Sequence, residues 1–124
     1  MADIRVIFPE NGNPVVNHDG EVVSSGELVT WCFHTDDPRI KFFEVEFAKP
    51  EENHFFKEKA SEPHKFGRTV VNGRTDFWGH VPAYEGKKRT VIAKYTVRGY
   101  DVDDESGKMT EVTAVDPVFI TPKP

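Results

Sequence analysis

Apolar and polar residues alternate in short runs along nearly the whole chain, and clusters of Gly, Pro, Asn and Asp separate the runs. Successive side chains of an extended strand point to opposite faces, so this period of two specifies half-buried β-strands and leaves little room for helix. Ile4 to Phe8 is the first run, closed by Pro9-Glu10-Asn11-Gly12-Asn13-Pro14, where two prolines interrupt any ladder. Val15-Val16 and Val22-Val23, on either side of His18-Asp19-Gly20, read as two brief strands. Leu28 to His34 places Val29, Trp31 and Phe33 on a core face and Leu28, Thr30, Cys32 and His34 on the opposite one; Asp36-Asp37-Pro38 ends it. Ile40 to Phe47 repeats the pattern, with Phe43, Val45 and Phe47 inward and Glu44 and Glu46 outward as solubilising charges. These two consecutive strands are predicted to pair as neighbours.

After Phe47 the alternation disappears, and a long irregular loop is predicted over 48–67, polar except for Phe55, Phe56 and Phe66. Arg68 to Val71 and Asp76 to Val81 then read as short strands joined through Asn72-Gly73, a tight-turn dipeptide. Arg89 to Tyr100 is the longest run, alternating Val91, Ala93, Tyr95 and Val97 against Ile92, Lys94, Thr96 and Arg98. An acidic tip from Asp101 to Lys108 leads into a return strand ending at Pro122, so the C-terminus is predicted to be a long hairpin. The total is about seven to nine strands. At 124 residues the chain matches one hydrophobic core, so residues 1–124 form one all-β domain, a sandwich or barrel. Ten phenylalanines help a modest apolar content of 37% to fill that core.

Charge and composition narrow the partners. A net charge of -5, with acidic and basic residues interspersed, lacks the basic footprint of a nucleic-acid binder. No apolar run is long enough to span a membrane, and Met1-Ala2-Asp3-Ile4-Arg5 lacks the features of a secretion leader, so the expected compartment is the cytoplasm. The single Cys32 cannot form an internal disulfide, which suits a reducing environment.

Reactive constellations are not legible. A blue-copper centre needs a Cys and a His close together in a late loop, with another His upstream, whereas Cys32 lies in an early strand. His18, His34, His54, His64 and His80 are scattered singly, without the short spacings of zinc sites. His34 and His80 are the pair whose convergence would create a weak divalent-metal site. Asp101, Asp103 and Glu105 alternate as calcium ligands do, but Ser106 stands where such a loop needs glycine, and the tip reads as a solvated turn. Ser24-Ser25-Gly26 and Glu105-Ser106-Gly107 are turn sequences rather than nucleophile elbows. The chain therefore reads as a non-enzyme with no catalytic residues, no cofactor and no metal site.

Aromatic residues carry the remaining signal. Trp31 has the strand setting of a buried tryptophan. Trp78, in Phe77-Trp78-Gly79-His80, reads first as core and second as a ring offered to a partner or ligand. Candidate binding residues are Phe55, Phe56, Phe66, Trp78 and His80, whose exposure would create an apolar patch for a protein partner or self-association. A carbohydrate or small-molecule platform on Trp78 and Tyr84 is the alternative.

Four segments, Gly26-Glu27-Leu28-Val29-Thr30-Trp31, Phe43-Glu44-Val45-Glu46-Phe47, Lys94-Tyr95-Thr96-Val97 and Asp116-Pro117-Val118-Phe119-Ile120, carry a resemblance in order and spacing. In these the chain resembles small bacterial cupredoxin-like β-sandwich proteins that lack the copper ligands and have no established activity. The resemblance implies a single-domain Greek-key sandwich, of cupredoxin-like or immunoglobulin-like form, and it implies no particular function.

Overall fold

A computed structural model describes residues 2–17, 20–24, 26–47, 65–80 and 90–122. In chain order the strands are β1 Ala2–Phe8, β2 Val15–Val16, β3 Glu21–Val22, β4 Leu28–Thr35 and β5 Phe42–Phe47, followed by β6 Lys65–Thr69, β7 Arg74–His80, β8 Thr90–Val102, β9 Met109–Val115 and β10 Val118–Pro122. The described residues are thus all-β. Two of these strands, β2 and β3, are only two residues long, and the described strands exceed the sequence expectation by one because the predicted return strand divides into β9 and β10.

The strands form two sheets. The smaller has the order β2-β1-β4-β7; the larger runs β3-β10-β8-β5-β6, with β9 also paired to β8. β1 lies parallel to β4, from Ala2 opposite Val29 to Phe8 opposite Thr35, while β7 is antiparallel to β4. The alternation explains what lies between the sheets. Ile4, Val6 and Phe8 of β1 and Val29, Trp31 and Phe33 of β4 are buried, and so are Phe43, Val45 and Phe47 of β5 and Tyr95 and Val97 of β8. Rings interlock across the gap: Trp31 meets Phe47 at 6.4 Å and Tyr95 at 5.8 Å edge-on, and Phe43 stacks on Phe8 at 5.3 Å and Phe33 at 4.9 Å.

The predicted pairing of β4 with β5 is overturned: β4 pairs with β1 and β7, and β5 with β6 and β8. Both strands carry an apolar face, and each covers the other's from the opposite sheet. The connection is a braced corner. Thr35 Oγ1 donates to the Phe8 carbonyl at 2.8 Å and accepts from the Asp37 amide at 3.0 Å. Asp37, 4% exposed, accepts the Arg39 amide and both arms of its guanidinium, which holds its carboxyl below the usual range.

Asn72 and Gly73 have φ of 52° and 73°, the primed turn that their sequence predicts. It closes a single bridge between Val71 and Arg74, after which the chain passes from the larger sheet to the smaller. The two strands therefore do not form a hairpin. A side chain at Gly73 would place its Cβ 2.6 Å from the Thr35 carbonyl oxygen, so packing as well as φ requires glycine there.

The C-terminal hairpin stands as predicted. β9 pairs with β8 from Val97 opposite Val115, and β10 continues in the same register with Val118 opposite Lys94. Asp116-Pro117 only interrupts the return strand, and the Tyr95 amide donates to the Pro117 carbonyl across that gap at 3.1 Å. The predicted irregular stretch ends sooner than expected, because Lys65, Phe66 and Gly67 belong to β6. No helix among the described residues is long and apolar enough to cross a membrane.

Candidate functional site

Strand alternation that sends Ile4, Trp31 and Phe77 inward sends their neighbours to the outer face of the smaller sheet. Register then aligns them in rows. Across β1, β4 and β7 the rows are Asp3-Thr30-Trp78, Arg5-Cys32-Asp76 and Ile7-His34-Arg74, and β2 adds Val15 beside Ile7. A groove of about 630 Å³ lies over the second and third of these rows, lined by Arg5, Ile7, Cys32, His34, Arg74 and Asp76.

Trp78 is 47% exposed, so the structure overturns its assignment to the core. Phe77, at 8%, takes the inward position, and alternation leaves Trp78 outside. Arg68 of β6 lies over both rings, 5.7 Å from the Phe77 centroid and 5.1 Å from that of Trp78. Ile7 and Val15 are also exposed, at 38% and 55%.

Cys32, His34 and Asp76 share this face, and they are the residue types of a nucleophile with its base and orienting acid. Their arrangement disfavours a thiolate. Burial and then the charge and hydrogen bonding of Asp76 push the Cys32 thiol up, outweighing Arg5, whereas a reactive cysteine needs a cation beside it. His34 Nε2 faces Asp36 at 3.9 Å.

The other predicted site residues that are described have their backbone positions elsewhere in the strands. His80 ends β7 opposite Leu28, six positions along β4 from His34, so the two lie about 20 Å apart and do not share an ion. Phe66 stands opposite Val45 in the larger sheet. Phe55, Phe56 and Tyr84 lie outside the described residues. Among the described residues no group of three or more His, Cys, Asp or Glu side chains is arranged to hold a metal ion. In the acidic tip, Asp103 accepts the amides of Glu105 and Ser106 at 2.8 and 3.2 Å, which lowers its carboxyl, and Lys41 faces Asp101 at 3.5 Å.

One charged cluster departs from the sequence reading. Glu44 does lie on the outer face of the larger sheet, yet its side chain is only 7% exposed and does not act as a solubilising charge. Arg98 bridges Glu44 at 3.3 Å, Glu46 at 2.8 Å and Glu111 at 3.1 Å. Lys65 approaches Glu44 at 3.7 Å, and the Tyr100 hydroxyl donates to it at 3.1 Å. Burial and the Glu44 charge push the Tyr100 phenol up to about 12. This cluster ties four strands together.

Period-two alternation located the outward residues of each strand, but the rows depend on pairing between strands far apart in sequence. No protein-family model matches this sequence, and no curated protein and no solved structure is significantly similar to it.

Proposed function

We propose that this chain is a non-enzymatic binding domain that docks a protein on the outer face of its smaller sheet. The carrying observation is one sheet face on which Ile7 is exposed in a groove also lined by Arg5, Cys32, His34, Arg74 and Asp76, with exposed Trp78 and Val15 in neighbouring positions on the same face. Apolar anchors within a polar rim are the ordinary composition of a protein-binding surface. Burial and the neighbouring Asp76, which push the Cys32 thiol up, support binding over covalent chemistry. A Greek-key, cupredoxin-like topology belongs to the same proposal, supported by two sheets sharing one aromatic core, as does a cytoplasmic location, supported by the unpaired Cys32.

A carbohydrate module is the second reading, favoured by the exposed Trp78 ring; Arg68 over that ring counts against a flat sugar platform. Photo-crosslinking separates the two. With benzoylphenylalanine at Val15, we expect a covalent protein adduct that is absent when the probe sits at Glu105 on the acidic tip, and no change in melting temperature with Zn(II), Cu(II), Ca(II) or a sugar panel. Stabilisation by one sugar or metal with no adduct overturns the proposal.

A further inference from the structure

The dipeptide Asn-Gly occurs twice, at Asn11-Gly12 and at Asn72-Gly73, and the fold holds the two differently. In such a pair the glycine backbone nitrogen, unhindered by a neighbouring Cβ, can attack the asparagine side-chain carbonyl carbon. The second pair is locked. Val71 and Arg74 exchange two backbone hydrogen bonds of 3.0 and 3.1 Å around it, and the Thr35 amide donates to the Gly73 carbonyl at 2.9 Å. With φ of 52° and 73° it is a type I′ turn, whose first central residue has ψ of about 30°, so the Gly73 nitrogen points away from the Asn72 side chain. Attack there requires the turn to open. The first pair lies in the connection between β1 and β2, where both residues are exposed. Among the described residues no backbone hydrogen bond involves residues 9–14, and a Cβ at Gly12 would meet only the Pro9 side chain, at 3.6 Å.

We propose that Asn11 is a site of spontaneous covalent modification, where Asn11-Gly12 deamidates through a cyclic imide while Asn72-Gly73 is protected by its turn. The Gly12 nitrogen loses its proton to hydroxide and bonds to Cγ of Asn11. The Cγ–Nδ2 bond then breaks, and the side-chain nitrogen takes a proton from water and leaves as ammonia, which regenerates the hydroxide. Water next adds to either carbonyl carbon of the ring and breaks its bond to the Gly12 nitrogen. Opening at Cγ leaves an aspartate at this position; opening at the backbone carbon leaves an isoaspartate, whose main chain runs through Cβ and Cγ. Water is the sole co-reactant, and no electrons are transferred. Each conversion adds one negative charge to the net charge of -5.

The modification is independent of the docking reading and its test can fail separately. Purified protein would be held for days at mildly alkaline pH, folded and in concentrated urea, and both sites followed by peptide mapping with mass spectrometry. In the folded protein the Asn11 peptide should exchange an amide NH2 for OH at least about tenfold faster than the Asn72 peptide, which reacts only when its turn opens. It should pass through a species lighter by one ammonia and end as a mixture of aspartate and isoaspartate. In urea the two rates should agree within about twofold, because the turn no longer restrains Asn72. Val71→Pro, at an exposed position, removes one of the two bonds closing the turn and should raise the Asn72 rate about fivefold while leaving Asn11 unchanged. No conversion at Asn11 in the folded protein overturns the proposal, as do equal rates at the two sites before urea is added and aspartate formed without isoaspartate.

Discussion

Cys32 shows how far a single side chain depends on its cross-strand neighbour. From the sequence it is a lone thiol on the outward face of a strand; in the sheet it stands between Arg5 and Asp76. Burial and the carboxylate both disfavour the thiolate, so less of it exists at neutral pH than for a free cysteine. Cys32 should therefore react with a chromogenic disulfide at pH 7.5 about tenfold more slowly than a small-molecule thiol, and Asp76→Asn should recover part of that rate. Rates equal to the free thiol in both proteins would show that Asp76 does not control it. Glu44 makes the same point: its outward position is legible from alternation, but its cover by Arg98, Lys65 and Tyr100 depends on which strands flank β5.

At the scale of elements, the Arg98 cluster decides how well β5, β8 and β9 hold together. Removing the arginine would leave a buried carboxylate beside two others, so Arg98→Ala should cost about 3 kcal/mol in urea unfolding. Adding Glu44→Leu should recover much of that loss, because the uncompensated charge disappears with it. Full additivity of the two losses would count against the coupling. Tyr100 adds a pH dependence. Its folded phenol is raised to about 12 from an ordinary 10.0, so folding favours the neutral form. That contribution is fully present below about pH 10 and is lost as pH rises toward 12. Wild-type protein should lose stability relative to Tyr100→Phe across that window, measured by urea titration at several alkaline pH values. Parallel curves would show that the phenol is not held neutral.

For the whole molecule, Trp31 is the main link between the sheets. Fully buried in β4, it contacts Phe47 and Tyr95 of the larger sheet and Phe77 of its own at 6.3 Å. Trp31→Ala should cost about 3 to 5 kcal/mol, and both near- and far-ultraviolet dichroism should follow one transition. Separate transitions for the two signals would show that the sheets do not share a core.

What the sequence by itself determined is local. The strands, the Asn72-Gly73 turn, the C-terminal hairpin and the inward side of β4 and β5 depend on period-two alternation and on residues suited to turns, and these interactions act within a few positions. Only the tertiary structure decided that β4 and β5 face each other across the core, that Trp78 lies outside, and that Arg5, Cys32 and Asp76 form one row. Those outcomes depend on register between distant segments and on which two apolar faces exclude water together. Alternation specifies that a face must be covered but carries no information about what covers it.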